Sequence, residues 1–242
     1  MKRSDHHAGF TLMELLVVIS IITLLISLIQ PSLQNARRHA RTVQCSTQVA
    51  QMAWAVVNYA DENRGRMFPI VHAERQYWMG KLGPYWNEDH RLIVCPDAST
   101  PSNGLGDARR AWGPGGGWMD NLKGSYGMNL WLLPAGAFAS DASMTQAGYI
   151  RQMDAAASNV PVFGDSQWVG AWPDDQDLWP SNFITPPNNH AKGYFMNRFC
   201  LDRHSMAINV SFIDGSARQV TIGDLWKLKW HQAFKPGEPV MP

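Results

Sequence analysis

The sequence contains little cysteine and no marked excess of charge of either sign. Its 242 residues include only Cys45, Cys95 and Cys200, and the formal net charge is +1. Three cysteines are too few for the disulfide framework of a small secreted scaffold, although they allow one bridge and a spare thiol. The near-neutral balance differs from the basic surface typical of nucleic-acid binding, so nucleic acid is not expected as a partner.

Charge is also nearly absent from residues 10–29, where Glu14 is the only ionisable side chain. Twenty helical residues span about 30 Å, the thickness of a bilayer's hydrocarbon core. A cleavable secretory signal is shorter and ends in a small-residue pattern, which residues 30–33 (Gln-Pro-Ser-Leu) do not provide. A simple anchor fits the length but leaves Glu14 unexplained, because a carboxylate in lipid is costly unless it has a partner.

A third interpretation of this segment gives Glu14 a partner. Residues 9–16 (Gly-Phe-Thr-Leu-Met-Glu-Leu-Leu), preceded by a short basic leader, resemble the processing site of type IV pilins and type II secretion pseudopilins. The resemblance implies that a prepilin peptidase cuts between Gly9 and Phe10 and that the new amino terminus is methylated. It also implies that Glu14 pairs with the amino-terminal nitrogen of a neighbouring subunit during assembly.

The same resemblance implies a location and a set of partners. The chain would cross the bacterial inner membrane once, with its leader (residues 1–9) in the cytoplasm and its carboxyl-terminal domain exported to the periplasm, a filament or the cell surface. Its partners would be the prepilin peptidase, other pilin or pseudopilin subunits, and the pilus or secretion assembly machinery. Charge alone does not orient the span, since basic residues flank it on both sides.

Beyond the span, apolar or small side chains recur in steps of three and four residues, which predicts one buried helix face. This predicted stripe consists of Leu33, Ala36, Ala40, Val43, Thr47, Ala50, Trp54 and Val57. Gly65 is the expected C′ residue, and Pro31 is expected to kink or loosen the helix. The sequence thus predicts a membrane and assembly helix at 10–30 that continues as an amphipathic helix at 31–64.

Residues 65–242 form the expected exported domain, and the eleven tryptophans all lie beyond residue 50. So many large aromatic side chains predict either a loop-rich domain whose core depends on them or an exposed aromatic binding platform. In the families that the amino terminus resembles, the long helix packs on a small antiparallel sheet. The expected fold is therefore α+β and pilin-like, with extensive loops.

The clearest local pattern in this domain is a hairpin near its end. Residues 206–213 alternate in polarity, Asp214-Gly215 follows as a turn, and residues 217–222 form the expected return strand. Asp224 is expected to cap a short closing helix. His204 precedes Asp214-Gly215 by nine intervening residues, and the segment 204–215 resembles the H-X9-DG element of a subgroup of pilin-like proteins.

Four residues in this domain are candidates for chemistry: Asp165, Asp202, His204 and Asp214. On a strand, Asp202 and His204 would share one face, where a carboxylate and an imidazole bind a divalent cation or carry out acid–base chemistry. The alternative is structural, because an Asp before Gly commonly bonds its own turn and a buried His satisfies a nearby carbonyl. The acidic segment 174–177 is expected to be solvated.

These patterns leave three hypotheses about function. The leading one is a non-enzymatic assembly subunit without a cofactor, although a divalent cation such as calcium remains open. The others are a membrane-anchored exported protein that binds saccharide or polymer through Trp-rich loops, and a metal-dependent enzyme using His204. Export also permits a disulfide between Cys45 and Cys95, with Cys200 left free.

Overall fold

The computed structural model describes residues 11–69, 77–113, 122–134, 158–187 and 193–241. The chain divides into two compact units, Met1–Ala40 and Arg41–Pro242. The cleavage position at Gly9 and Phe10 lies outside the described residues.

Helix α1 covers Leu12–Glu62 and is assigned without interruption across Pro31. Its carboxyl end is a Schellman-type stop, in which the Gly65 N–H bonds the Ala60 carbonyl at 2.7 Å. Arg64 is the first left-handed residue, with φ of 60°, and Gly65 follows with φ of 76°. The sequence therefore predicted the stop correctly but placed the C′ residue one position too late.

The buried face of α1 is not the stripe that the sequence predicted. The buried side chains are Cys45, Gln48, Val49, Met52, Ala53, Ala55, Val56 and Ala60. Val43 and Trp54, from the predicted stripe, are 51% and 52% exposed. Both sets recur at helical spacing, and the sequence could not show which of two adjacent apolar faces the sheet covers.

The carboxyl-terminal domain is built on a five-stranded sheet in the order β5-β3-β4-β6-β7. Its strands are β3 (Tyr126–Asn129), β4 (Pro161–Asp165), β5 (Gly170–Ala171), β6 (Ala207–Phe212) and β7 (Ala217–Thr221). Two short parallel strands, β1 (Thr100–Pro101) and β2 (Arg110–Ala111), pair separately, and the short helix α2 covers Tyr77–Leu82. β3 and β5 are parallel while the other neighbours are antiparallel. The α+β pilin-like fold is confirmed, but the sheet is mixed rather than wholly antiparallel.

Every residue of β3, β4 and β6 is buried, which requires cover on both faces of the sheet. Aromatic side chains supply much of this cover: of the ten tryptophans in the described residues, Trp78, Trp112, Trp131, Trp172, Trp226 and Trp230 are buried. Three more are partly buried against the core. The described tryptophans are thus mainly core residues, and Trp54 is the one that is more than half exposed.

The predicted hairpin is present as β6 and β7, joined through Asp214-Gly215. Gly215 has a φ of 79°, and a Cβ atom there would lie 2.6 Å from the Trp54 ring. The closing helix is a 3₁₀ turn, Gly223–Lys227, capped by Ile222 rather than Asp224. Asp224 lies inside its first turn, where its carboxylate accepts a hydrogen bond from the Thr221 hydroxyl at 2.6 Å.

Candidate functional site

The amino terminus of α1 is organised around Thr11 and Glu14. The Thr11 N–H and hydroxyl both donate to Glu14 Oε2, at 2.9 and 2.7 Å, and the Glu14 N–H donates to the Thr11 hydroxyl at 3.2 Å. This reciprocal arrangement is a capping box, which satisfies backbone donors at the start of a helix. The Thr-x-x-Glu pattern that indicates this cap is present in the sequence at residues 11–14.

The first unit exposes an apolar surface. All described residues from Thr11 to Ala40 are exposed, and those up to Ile29 are mostly Leu, Ile and Val. The hydroxyls of Ser20 and Thr23 donate hydrogen bonds to backbone carbonyls four residues earlier, so these polar groups have partners within the helix. An apolar helix of this length requires lipid or other protein around it, because water would not solvate it favourably.

A second site lies in the carboxyl-terminal domain, where His204 is 3% exposed and faces two carboxylates. Its Nδ1 lies 3.5 Å from Asp97 Oδ2 and 3.3 Å from the Thr42 hydroxyl. Its Nε2 lies 3.3 Å from Asp165 Oδ2 and 3.7 Å from Cys95 Sγ. An imidazolium at this position can donate to both carboxylates at once.

Asp165 is the most enclosed of these groups and is held as an anion. It is completely buried, and Arg203, also buried, reaches its Oδ1 at 2.9 Å. The Asn209 N–H donates to its other oxygen at 2.8 Å. Burial alone would raise the pKa of Asp165, but Arg203, His204 and the Asn209 N–H together outweigh burial and lower it.

These contacts continue outward as a line of alternating charge. Arg41, on α1, lies 3.3 Å from Asp97 and is 56% exposed. Asp97 leads to His204, then to Asp165 and finally to Arg203 in the core. The line crosses from the surface of α1 to the middle of the sheet, and each member is paired with neighbours of opposite sign when His204 is protonated.

The disulfide between Cys45 and Cys95 lies beside His204 and ties α1 to the loop before Pro96. The Cα atoms are 5.4 Å apart and the linked residues are separated by 50 positions in the chain. Both cysteines are fully buried, and so is the remaining thiol of Cys200. Burial raises the pKa of the Cys200 thiol well above its ordinary value, so Cys200 is a core side chain rather than a reactive one.

The structure does not bring Asp202, His204 and Asp214 together as one metal site. The Asp202 carboxylate accepts the Met206 N–H at 2.6 Å. The Asp214 carboxylate accepts the N–H and the hydroxyl of Ser216, at 2.9 and 2.6 Å, within its own turn. The carboxylates at His204 are instead Asp97 and Asp165, which come from distant parts of the sequence.

The segment from His204 to Gly215 contacts α1 at two positions. His204 contacts Thr42, whereas Gly215 lies under the ring of Trp54. These two contact positions on α1 are twelve residues apart, so the segment from His204 to Gly215 contacts the helix at both of its ends.

The acidic segment 174–177 is less solvated than expected. Asp177 is fully buried, and its Oδ2 accepts N–H groups from Asp174 and Met196 at 2.9 and 2.7 Å. Burial nevertheless dominates and raises the pKa of Asp177 to about 7. The expectation of a solvated loop is therefore wrong for Asp177, and sequence alone could not show that the loop folds back over this side chain.

Comparison with known proteins identifies the amino-terminal element. Residues 5–29 match the family model described as the prokaryotic N-terminal methylation motif. The chain carries a type IV pilin-like precursor motif. Together with the exposed apolar helix, this motif fits a membrane-anchored protein with a single span. No curated protein and no solved structure matches the chain.

Proposed function

We propose that this chain is a pilin-like structural subunit of a type IV pilus-like or type II secretion-like filament. A prepilin peptidase cuts it between Gly9 and Phe10, the new amino terminus is methylated, and α1 then packs with the helices of other subunits. The exported domain faces outward. The subunit is not an enzyme in this account.

One observation carries the proposal: the methylation motif at residues 5–29 overlaps the start of α1, whose residues are all exposed up to Ala40. Lipid surrounds this apolar surface before assembly, and the apolar helices of other subunits pack against it afterwards. Glu14 is the exception, because a carboxylate in such surroundings needs a cationic partner. An amine created four residues earlier, at Phe10 of a neighbouring copy, provides that partner.

The capping box gives Glu14 a role before assembly as well. Its Oε2 takes both bonds from Thr11, which keeps the carboxylate hydrogen-bonded while the chain is a monomer. Glutamine also functions at this position of a capping box, so the cap does not require the charge. The charge and the cap can therefore be separated by substitution.

The exported domain supports the same proposal through its attachment to α1. The disulfide, the His204 contacts and the Gly215–Trp54 contact all hold the part of α1 between Thr42 and Trp54. In a filament held together by its helices, the load on each exported domain passes through this attachment. A covalent bond and a buried ion-pair line are suited to resist it.

Two substitutions in the host test the role of Glu14. Glu14→Gln keeps the capping interaction and removes the charge, while Thr11→Val removes the side-chain cap and keeps the charge. We expect Glu14→Gln to insert in the membrane normally and to lose at least about tenfold in the filament fraction, the effect of about 1.4 kcal/mol per contact. Thr11→Val should stay within about twofold of the wild type.

The assay compares sheared filament and membrane fractions by immunoblot, with equal membrane levels as the control for folding and insertion. Undiminished assembly of Glu14→Gln would contradict the proposal. An equal loss in both variants would contradict the ion pair and assign the effect to helix capping.

A further inference from the structure

The loop after β5 places two carboxylates beside a buried histidine. Asp174 and Asp175 lie on this loop, and His231 follows the closing 3₁₀ turn. One ligand atom from each of the three residues lies within 4.8 Å of the others. The His231 Nε2 is 3.8 Å from Asp174 Oδ2.

The loop is held in place by hydrogen bonds from its own backbone N–H groups. The Asp177 carboxylate binds the Asp174 N–H, and the Gln176 N–H donates to Asp174 Oδ1 at 3.0 Å. The indole of Trp226 donates to the Asp177 carbonyl at 3.1 Å, which joins the loop to the closing turn. These bonds fix the loop, and they leave Asp174 Oδ2, the oxygen nearest His231, out of the hydrogen bond that its Oδ1 accepts. The side chains of Asp174 and Asp175 are partly exposed.

His231 is the observation that points to a ligand. It is 5% exposed, and among the residues that the structure describes neither of its ring nitrogens has a hydrogen-bond partner. Its ring is held between Trp131 and Phe234, at centroid distances of 4.7 and 5.3 Å. A buried polar group without a partner costs about 1–3 kcal/mol, so an imidazole held this way beside two carboxylates requires an explanation.

We propose that Asp174, Asp175 and His231 bind a divalent cation of the zinc class. An imidazole nitrogen together with carboxylate oxygens suits Zn²⁺ and similar transition metals, whereas Ca²⁺ and Mg²⁺ prefer oxygen ligands alone. Ligand atoms around tetrahedral zinc lie about 3.4 Å apart at bond lengths near 2.1 Å. The partly exposed carboxylates reach this spacing by small rotations, and water completes the coordination.

This metal site is separate from the assembly function proposed above, and its effect is on the stability of the exported domain. A metal held by these residues ties the loop after β5 to the carboxyl-terminal segment. It therefore stabilises the folded state in proportion to its occupancy: at a free concentration 100-fold above Kd, the unfolding equilibrium constant falls about 100-fold.

The test uses the full chain in detergent, stripped of metal, with the disulfide kept oxidised. Zn²⁺ is titrated against a chromophoric chelator, and chemical unfolding is followed by tryptophan fluorescence with and without Zn²⁺. The variants are Asp175→Asn and His231→Gln. The matched control is His90→Gln, which removes an exposed histidine, and His204→Gln removes the other histidine that is buried among the described residues.

We expect the wild type to bind one Zn²⁺ per chain. Asp175→Asn and His231→Gln should abolish this binding, whereas His90→Gln and His204→Gln should still bind one Zn²⁺. Ca²⁺ in tenfold excess should not displace it. Asp175→Asn keeps the proposal testable if His231→Gln does not fold, since Asp175 is partly exposed. The absence of binding, binding that Asp175→Asn leaves unchanged, or displacement by Ca²⁺ would overturn the proposal.

Discussion

Arg203 is predicted to be a position in the carboxyl-terminal domain where substitution strongly lowers the free energy of unfolding. Its guanidinium is completely buried and donates to Asp165 at 2.9 Å. It also donates to the carbonyls of Ser125, Ala108 and Asp107, at 2.6, 3.2 and 2.8 Å. Arg203→Met fills a similar volume but leaves Asp165 without its cation, and removing one partner of a buried pair costs about 3–5 kcal/mol.

The stability difference between the wild type and Arg203→Met should depend on pH in a definite direction. In the wild type the pKa of Asp165 is lower in the folded state than in the unfolded state, where it is about 3.9. The ionised carboxylate therefore stabilises the fold above about pH 3.9, and this stabilisation is lost as the pH falls through the folded pKa. Without Arg203, burial dominates and raises that pKa, so the variant's folded state takes up a proton. The stability difference between wild type and variant should therefore shrink as the pH falls from 7 towards 4.

The assay is denaturant unfolding of the full chain in detergent, followed by tryptophan fluorescence at pH 7, 5.5 and 4. Arg110→Met is the matched control, because Arg110 also pairs with an aspartate but is 56% exposed. Arg110→Met should lower the free energy of unfolding by less than about 1 kcal/mol. A loss below about 1 kcal/mol for Arg203→Met at pH 7, or a difference independent of pH, would refute the reasoning.

Three further predictions concern the carboxyl-terminal domain. Cys45→Ala combined with Cys95→Ala should cost about 4 kcal/mol for a loop of about 50 residues, and the unfolded, unreduced wild type should titrate one thiol; three thiols would contradict the bridge. Gly215→Ala should destabilise by about 1–3 kcal/mol through its positive φ and its clash with Trp54, and Trp54→Ala should relieve part of that loss; no relief would contradict the contact. Because burial raises the pKa of Asp177 to about 7, its ionisation lowers stability as the pH rises from about 4 to 7. The urea midpoint of Asp177→Asn should therefore rise relative to that of the wild type as the pH increases from about 4 to 7. A difference between the two midpoints that does not change with pH would contradict this.

Local patterns in the sequence were sufficient to predict the elements that depend on neighbouring residues. The long helix, its stop near Gly65 and the β6–β7 hairpin all follow from spacing and turn chemistry within a few residues. The Thr11–Glu14 cap belongs to the same class, since both partners lie within one helical turn.

Features that depend on distant residues could not be predicted in this way. The partners of His204 come from residues 42, 95, 97 and 165, and no local pattern relates them. The choice between the Val43–Trp54 face and the Cys45–Met52 face of α1 is made by the sheet, which forms from the other end of the chain. For the same reason, the carboxylate expected at His204 was Asp202, its neighbour in sequence, rather than Asp165.

The amino terminus of the mature protein tests the central claim most directly. The protein is purified from the membranes of its host, and its amino-terminal peptide is sequenced by mass spectrometry. The proposed function predicts a peptide that begins with N-methylated Phe10. An intact Met1, or a new terminus near Ala36, would contradict prepilin processing and favour an uncleaved anchor or a secretory signal.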